Sequence, residues 1–381
     1  MRDLKATQLY ATDGDVYDVI MASSRRMSSN VLLEMISERR IFCSPHAQRE
    51  ELADYTSGLI HDHYDIARLI QKGEYNRNAE RTTFVDLDVE LSSDDIKSAV
   101  IEYQRQVGLS EKITTPISTI NKTRVNLEYD EIDHSRTKLF QKQQRQADFS
   151  FDVSDGRTRV RRPATDKARV VFLKLKSIID TARASASNIE EISVSEFITS
   201  GDRTEFFMRM MKSVLGYQGQ LVTDARVARW TDDQGQAFSD HDTNDENDVE
   251  TQAARQRIIS IVNSVSMRGV NITATDEYQK LLEKGFFLTS LTWMSEQQAE
   301  PRDKVQFEVA FENGVEGTGF RYAVRYSPRR SAGDYSKSFQ SVPETRKPVL
   351  CKLIEETARA VLTSMREAAR PMPSTGDAGG K

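Results

Sequence analysis

Arginine and lysine side chains are concentrated in two stretches of this chain. The first stretch, residues 157–176 (RTRVRRPATDKARVVFLKLK), contains a single acid, Asp166. Its basic residues are Arg157, Arg159, Arg161, Arg162, Lys167, Arg169, Lys174 and Lys176. A local concentration of positive charge attracts phosphate groups, and the attraction weakens as salt is added. The phosphate contacts predicted here are Arg157, Arg159, Arg161, Arg162, Lys167 and Arg169.

The second basic stretch lies further along the chain. Its arginines are Arg321, Arg325, Arg329 and Arg330. Tyr322 and Tyr326 lie between these arginines, and aromatic rings beside guanidinium groups can stack on unpaired bases. We predict that the four arginines contact nucleic acid. For both stretches the alternative is an ordinary solvated surface, or a surface that pairs with an acidic segment of the same chain.

Three acids on one predicted strand offer a different chemistry. Asp86, Asp88 and Glu90 alternate with apolar residues, so they share one face of the strand. A nuclease that binds a divalent ion needs acids and a lysine close together at such a place. The following lysine, Lys97, lies in the next predicted helix. The polar face of an amphipathic strand is the simpler interpretation, and a metal-dependent nuclease is the alternative.

Other motifs for metals or cofactors are weak or absent. His61 and His63 would point in different directions on a helix, and a polar connection between two helices explains them. Residues 240–251 resemble a calcium loop only superficially, because Asp245 and Thr251 stand where such a loop needs glycine and glutamate. The sequence has no GxxxxGK[ST], GxSxG or HExxH motif. We therefore predict no catalytic residue, no metal ligand and no cofactor.

These side chains must be positioned by a mixture of helices and strands. Apolar periodicity predicts helices at 28–40, 52–59, 64–70, 92–108, 168–186, 202–215, 251–266, 275–284 and 347–369. Alternation predicts strands at 83–91, 125–129, 149–153, 190–194, 286–293, 304–312 and 318–326, with a glutamine-rich, helix-like spacer between the second and third. Asn313-Gly314 predicts a hairpin turn. The predicted fold class is α+β, a small N-terminal helical module followed by a mixed, largely antiparallel body of sheet and helices.

Composition predicts where the chain divides. Residues 231–250 hold eight acids and neither lysine nor arginine, as is typical of a solvated loop or linker. The predicted regions are a helical module at 1–78, an α+β region at 79–230, the acidic loop at 231–250, a second α+β region at 251–369 and a disordered tail at 370–381.

Overall composition restricts the protein class. The chain of 381 residues has 53 Lys and Arg against 58 Asp and Glu, a net charge of −5. A uniformly basic, histone-like binder is excluded, although a local basic surface is not. Cys43 and Cys351 are the two cysteines, so neither a disulfide framework nor a cysteine zinc site is available. Without a leader-like first segment or an apolar run of roughly 18 residues, we expect a cytoplasmic protein with no membrane contact.

One short segment resembles a known DNA-binding element. Residues 28–59 (SSNVLLEMISERRIFCSPHAQREELADYTSGL) place apolar residues at Leu33, Ile36 and Ile41, followed by a short serine-containing connector and a second helix. This pattern is similar to the SAP helix–extended loop–helix family. Arg40 departs from the family pattern, which has a turn glycine there, and residues 45–48 replace its Gly-Lys-Lys. The resemblance implies that His46, Gln48 and Arg49 occupy the phosphate-contacting end.

The function predicted from these features is that of a non-catalytic, nucleic-acid-associated protein, with DNA as the expected ligand. The acidic loop at 231–250 would screen the basic surfaces in the absence of ligand. One alternative is an accessory or scaffold subunit of a multiprotein assembly, such as a bacterial phage-defence (antiviral defence) complex. There the charged segments and the helix at 347–369 would bind a partner protein or a second copy of the chain. The other alternative is the metal-dependent nuclease.

Overall fold

The chain folds into helices and strands that group into two compact units. The structure, a computed structural model, describes residues 11–24, 26–73, 81–108, 111–114, 116–119, 121–135, 137–230, 264–269, 272–329, 334–336 and 338–369. The first unit comprises Met1–Asn78, Asp94–Ile117 and Arg124–Asp148, and the second comprises Ala79–Ser93, Ser118–Thr123 and Phe149–Lys381. Each unit is therefore assembled from separated parts of the sequence.

The helices begin and end close to capping residues or glycines. They are α1 (Asp13–Ala22), α2 (Ser29–Glu38), α3 (Arg49–Ser57), α4 (His63–Gly73), α5 (Ser93–Val107), α6 (Lys138–Gln141), α7 (Asp166–Arg183), α8 (Ser200–Ser213), α9 (Asp276–Glu283) and α10 (Lys347–Ala369). A short 3₁₀ turn covers Ile272–Ala274.

The strands are β1 (Thr82–Leu87), β2 (Glu111–Ile113), β3 (Ile117–Thr119), β4 (Lys122–Ile132), β5 (Lys142–Ser154), β6 (Arg157–Pro163), β7 (Ile189–Glu190), β8 (Tyr217–Ala228), β9 (Ser264–Arg268), β10 (Phe287–Gln297), β11 (Lys304–Asn313), β12 (Thr318–Ser327) and β13 (Gln340–Ser341). β4 and β5 each contribute residues to both units.

An apolar core lies among the N-terminal helices of the first unit. α1 begins at a capping box, in which the Thr12 hydroxyl accepts from the Asp15 amide at 3.2 Å and the Asp15 carboxylate accepts from the Thr12 amide. The fully buried members of the core include Val19, Ile20 and Leu32. Apolar residues spaced three or four apart bury one face of each helix, and here they produce a helical core.

The second unit is built on an antiparallel sheet. Its strand order is β5, β6, β1, β12, β11, β10, β8 and β9. β6 pairs with β1 so that Arg161 lies opposite Phe84, and β11 and β12 form a hairpin in which Asn313 lies opposite Thr318. Helices α8 and α10 contact this sheet and each other. Their shared core contains large, fully buried aromatic side chains, including those of Phe206 and Trp293.

The sequence-based fold class is confirmed, because the protein is α+β with helices preceding a large antiparallel sheet. The helix predicted at 347–369 has these bounds in the structure, and the turn at Asn313-Gly314 does join two antiparallel strands. The predicted domain boundaries stay a prediction. The acidic loop at 231–250 and the tail at 370–381 lie outside the described residues.

Three sequence-based expectations about elements were wrong or incomplete. The glutamine-rich spacer is mostly strand, since α6 ends at Gln141 and β5 begins at Lys142. The end of the helix predicted at 251–266 belongs instead to β9, and residues 251–263 lie outside the described part. β6 and β8 were not predicted. In each case pairing with neighbouring strands outweighs the local propensity.

No helix in the described part of the chain is both long and apolar enough to cross a membrane.

Candidate anion-binding site

The arginines of β6 lie on two opposite faces of the sheet. Side chains alternate along a strand, so Arg159 and Arg161 share one face while Arg162 lies on the other. Arg159 and Arg161 both donate hydrogen bonds to Glu355 of α10. The guanidinium of Arg162 instead lies 5.8 Å from the centre of the Phe172 ring of α7. The first basic stretch is therefore not one continuous surface.

Glu355 is the centre of a buried ion-pair network. Its side chain is fully buried, and it accepts hydrogen bonds from Arg161 Nε at 2.5 Å and from Arg161 Nη2 at 2.8 Å. The Tyr322 hydroxyl donates to the same carboxylate at 2.5 Å, and Arg161 also forms an ion pair with Asp152. A bidentate, buried pair of this kind holds both groups in one geometry. Arg161 therefore stabilises the fold.

Asp86 of the same network also binds two arginines. Arg159 Nε donates to Asp86 Oδ1 at 2.9 Å and Arg159 Nη2 donates to Oδ2 at 3.2 Å, while Arg359 forms an ion pair with the same carboxylate. Asp86 is 4% exposed. Its carboxylate, which the nuclease alternative needs as a metal ligand, is neutralised by two arginines of the protein.

The other two acids of the nuclease alternative also bind protein groups. Asp88 accepts from the Asn188 backbone amide at 2.7 Å and from Asn188 Nδ2 at 2.6 Å, and these bonds lower the Asp88 pKa. Glu90 accepts from the Gly156 amide at 3.0 Å. Over the residues that the structure describes, no group of three or more His, Cys, Asp or Glu side chains is placed to hold a metal ion.

The network shifts the proton affinities of its members. Burial raises the pKa of Tyr322 well above its ordinary value, and the charge of Glu355 raises it further. For Asp152, burial alone would raise the pKa, but the charge of Arg161, the hydroxyl of Ser150 and the charge of Lys122 outweigh it, so the pKa is lowered. Tyr322 is therefore held neutral and Asp152 ionised.

Arg162 is buried and pairs with no carboxylate of the described residues. It is 8% exposed, its Nε donates to no group in this part of the chain, and its Nη1 donates to the Pro163 carbonyl at 3.4 Å. Burial lowers the Arg162 pKa, and although the charge of Glu191 raises it in part, the charge of Arg169 lowers it again. A guanidinium remains protonated at neutral pH. Among the residues that the structure describes, its charge forms no ion pair.

Arg162 lines a polar pocket together with two more arginines, Arg169 of α7 and Arg321 of β12. The cavity volume is ≈ 100 Å³. Arg321 repeats the situation of Arg162, since its Nε is buried without a partner and burial lowers its pKa. The remaining lining residues are Thr83, Phe84, Ala164, Thr165, Asp166, Glu191, Ile192, Glu312, Asn313, Thr318, Gly319 and Phe320. The two basic stretches of the sequence therefore meet at one pocket.

The N-terminus of α7 forms part of the same pocket. Thr165 caps this helix by accepting from the Ala168 amide at 3.3 Å, and Ala164, Thr165 and Asp166 all line the cavity. The first amides of a helix lack intrahelical acceptors and carry the positive end of the helix dipole. The pocket thus combines guanidinium groups with a helix end that also favours anions.

Three carboxylates also line the pocket, and all three are exposed. They belong to Asp166, Glu191 and Glu312. Within the described ranges, no carboxylate oxygen lies within 4.0 Å of a nitrogen of Arg162, Arg169 or Arg321. The acids therefore moderate the positive charge of the pocket without occupying the hydrogen-bond donors of its arginines.

The other predicted phosphate contacts lie elsewhere. Arg157 forms an ion pair with Glu190 at 2.9 Å, and Lys167 lies half-buried on α7. Arg325 and Arg329 follow Arg321 along β12 and beyond it, and neither lines the pocket. Arg330 lies outside the described residues.

In the first unit the SAP-like segment forms the two helices α2 and α3. Arg40, which stands where the family has a turn glycine, has a φ of 59°, in the left-handed region that favours glycine. His46 and Gln48 are exposed, whereas Arg49 donates to the carbonyls of Met27 at 3.0 Å and Ile20 at 2.5 Å. The guanidinium of Arg49 therefore binds a carbonyl in the last turn of α1.

The carboxylate partners that separate Arg161 from Arg162 were not predicted from the sequence. The partner Glu355 lies 194 positions from Arg161, so no local pattern links the two residues. One local signal was present, because Thr158, Val160 and Arg162 alternate with Arg157, Arg159 and Arg161. Recognised as a strand, this alternation would have separated Arg162 from Arg161.

Comparison with protein-family models and with curated proteins finds no match to this chain.

Proposed function

We propose that the protein binds the phosphate groups of nucleic acid through the pocket of Arg162, Arg169 and Arg321. The observation that carries this proposal is the buried guanidinium of Arg162, which pairs with no carboxylate of the described residues and lines the pocket together with Arg321. Burying an unpaired charge is costly. A phosphate in the pocket would supply the missing negative charge.

The neighbouring arginines of β6 differ from Arg162, and this difference supports the proposal. Arg159 and Arg161 each have carboxylate partners within the protein. Every guanidinium offers several donors in a planar fork that matches phosphate oxygens. Of the arginines on β6, Arg162 is the one that lines the pocket. A site of this kind contacts the backbone, so we expect binding that tolerates changes of base sequence.

Two features expected from the sequence need revision within this proposal. Tyr322 is 1% exposed and hydrogen-bonded to Glu355, so its ring has no free face for a base. Arg161, first considered a phosphate contact, supports the fold instead. The SAP-like segment remains a second predicted contact through His46 and Gln48. The scaffold-subunit alternative also stays a prediction.

A binding titration tests the proposal. Fluorescence anisotropy would follow labelled single- and double-stranded DNA and RNA at two salt concentrations, with wild type and Arg162→Ala. We expect Arg162→Ala to weaken binding by at least about tenfold, and to reduce the salt slope by about one unit if one phosphate contact is lost. Equal affinity for the two proteins would refute the proposal.

The matched control is Arg157→Ala. Arg157 lies on the same strand, carries the same charge and is exposed, but it pairs with Glu190 outside the pocket. Because long-range attraction depends on net charge, both variants lose the same general attraction. A pocket-specific effect must therefore appear as the difference between them. Circular dichroism and urea unfolding would confirm that both variants are folded.

A further inference from the structure

We propose that the pocket takes the terminal phosphate monoester of a nucleic-acid strand in preference to a phosphodiester within the strand. This inference rests on the proposed function, since it names which phosphate enters the same site. It depends on the size of the cavity, on the number of donors that converge there and on the exposed carboxylates beside them.

The size of the cavity favours a chain end. A buried cavity of about 150 Å³ holds one benzene molecule, and this pocket measures ≈ 100 Å³. A phosphate group has fewer heavy atoms than benzene and fits this volume, whereas a nucleoside does not. A diester inside a strand carries a nucleoside on both sides, and both nucleosides must lie outside the pocket. A terminal monoester carries a nucleoside on one side only.

The donors of the pocket match the oxygens of a monoester. Three guanidinium groups, those of Arg162, Arg169 and Arg321, line the cavity beside the N-terminus of α7. A phosphate monoester presents three strong acceptor oxygens and a charge of about −1.5 to −2 near neutral pH. An internal diester presents two such oxygens and a single charge. The monoester therefore gains more from these donors.

The carboxylates of the pocket also discriminate between the two groups. Glu191 and Glu312 are exposed and lie close enough to act on the charge of Arg162. A monoester has a second pKa of about 6, so near neutral pH part of it carries an O–H that can donate a hydrogen bond to a carboxylate. A diester has no such proton. The two glutamates repel either anion, but a monoester can offset part of this repulsion with that hydrogen bond and a diester cannot.

The test compares oligonucleotides of one sequence that differ in their ends. The probes are single strands with a 5′-phosphate, with a 3′-phosphate or with hydroxyls at both ends, and a circular strand that has no end. We expect a phosphorylated strand to bind at least about tenfold more tightly than the hydroxyl and circular strands, roughly the effect of one charge-assisted contact. Preference for the 5′- or the 3′-phosphate would identify which end enters the pocket.

Two variants assign any preference to the pocket. Arg162→Ala should abolish it, and Arg169→Ala, at an exposed position on α7, should weaken it without endangering the fold. Lys174→Ala is the control, because Lys174 is exposed on the same helix but does not line the pocket.

The outcomes separate this inference from the proposed function. If all four probes bind equally and that binding still needs Arg162, the pocket binds internal phosphates and the terminal-phosphate inference is wrong. If binding to every probe is independent of Arg162 and Arg169, both the inference and the proposed function fail. Both are supported when the phosphorylated probe binds more tightly and that advantage is lost in Arg162→Ala but kept in Lys174→Ala.

Discussion

Arg161 and Arg162 are adjacent on β6, yet Arg161 forms a bidentate pair with the fully buried Glu355 while Arg162 lines a cavity and pairs with no carboxylate in the described part of the chain. The two residues therefore have different consequences when they are replaced. Substitution of Arg161 removes the bidentate partner of a buried glutamate and threatens the fold. Substitution of Arg162 removes a charge that forms no ion pair within the described residues, so Arg162 is the informative position for binding.

Replacing Glu355 should destabilise the second unit strongly. Glu355→Gln removes the fully buried carboxylate that Arg161 binds and leaves it the partly exposed Asp152, and the loss of one partner from a buried pair costs about 3 to 5 kcal/mol. Urea unfolding measures this loss. Glu356→Gln is the control, since Glu356 is the adjacent residue of α10 and pairs with the exposed Lys352 at 3.6 Å. The control should change the free energy of unfolding by less than about 1 kcal/mol. Similar midpoints for the two variants would contradict the assigned role of Glu355.

Acidification should remove the contribution of Asp152. Its folded-state pKa is lowered, because burial is outweighed by the charge of Arg161, the hydroxyl of Ser150 and the charge of Lys122 acting together. The ionised form is thus favoured by folding, so the stabilisation is fully present above the ordinary pKa of 3.8 and is lost as pH falls through the lower folded-state value. Asp152→Asn should therefore be less stable than wild type at neutral pH.

The measurement is the urea midpoint of both proteins from about pH 6 down to about pH 2. We expect the midpoint difference between wild type and Asp152→Asn to shrink as the solution becomes more acidic. A difference that stays constant over this range, or that grows on acidification, would show that the Asp152 carboxylate is not stabilised by its charge.

The tight turn between β11 and β12 should not tolerate a side chain at Gly317. This residue has a φ of 74°, and an added Cβ would lie 2.6 Å from Val194 Cγ2. Gly317→Ala should therefore lower the free energy of unfolding by about 1 to 3 kcal/mol. Gly201→Ala is the control, because at that position the nearest atom, Thr199 Oγ1, lies at 3.9 Å. Thermal unfolding would compare the two, and equal melting temperatures would argue against the close contact at Gly317.

In the first unit, replacing Arg40 by glycine should stabilise the protein, the opposite of the effect expected at Gly317. Its φ of 59° is unfavourable for a residue with a side chain, and its side chain is exposed. Arg40→Gly relieves this cost, so we expect a stabilisation of up to about 1 kcal/mol. Arg39→Gly serves as the comparison, because Arg39 has a φ of −86° and pairs with Asp65 at 2.6 Å. It should destabilise the unit. A loss of stability in Arg40→Gly would mean that the turn does not need the left-handed conformation.

Local patterns were sufficient for much of the fold. The apolar periodicity of residues 347–369 predicted α10, and Asn313-Gly314 predicted the β11–β12 hairpin, because both signals act between residues close in sequence. The basic stretches were recognisable for the same reason. Which arginines are internally paired was not predictable, since Arg159 and Arg161 meet Asp86 and Glu355 only after distant segments pair. The pocket itself depends on the pairing of β6 with β1 and of β1 with β12.

The most direct test of the phosphate pocket observes the Arg162 Nε–H group itself. In ¹⁵N-arginine-labelled protein, the Nε–H resonances would be recorded during a titration with a phosphorylated oligonucleotide, and Arg162→Lys would assign the signal of Arg162. Because Arg162 lines the pocket and its Nε donates to no described group, we expect its signal to shift on binding, while that of Arg161, already bonded to Glu355, stays in place. Binding that leaves the Arg162 signal unchanged would contradict the assignment of this pocket as the phosphate site.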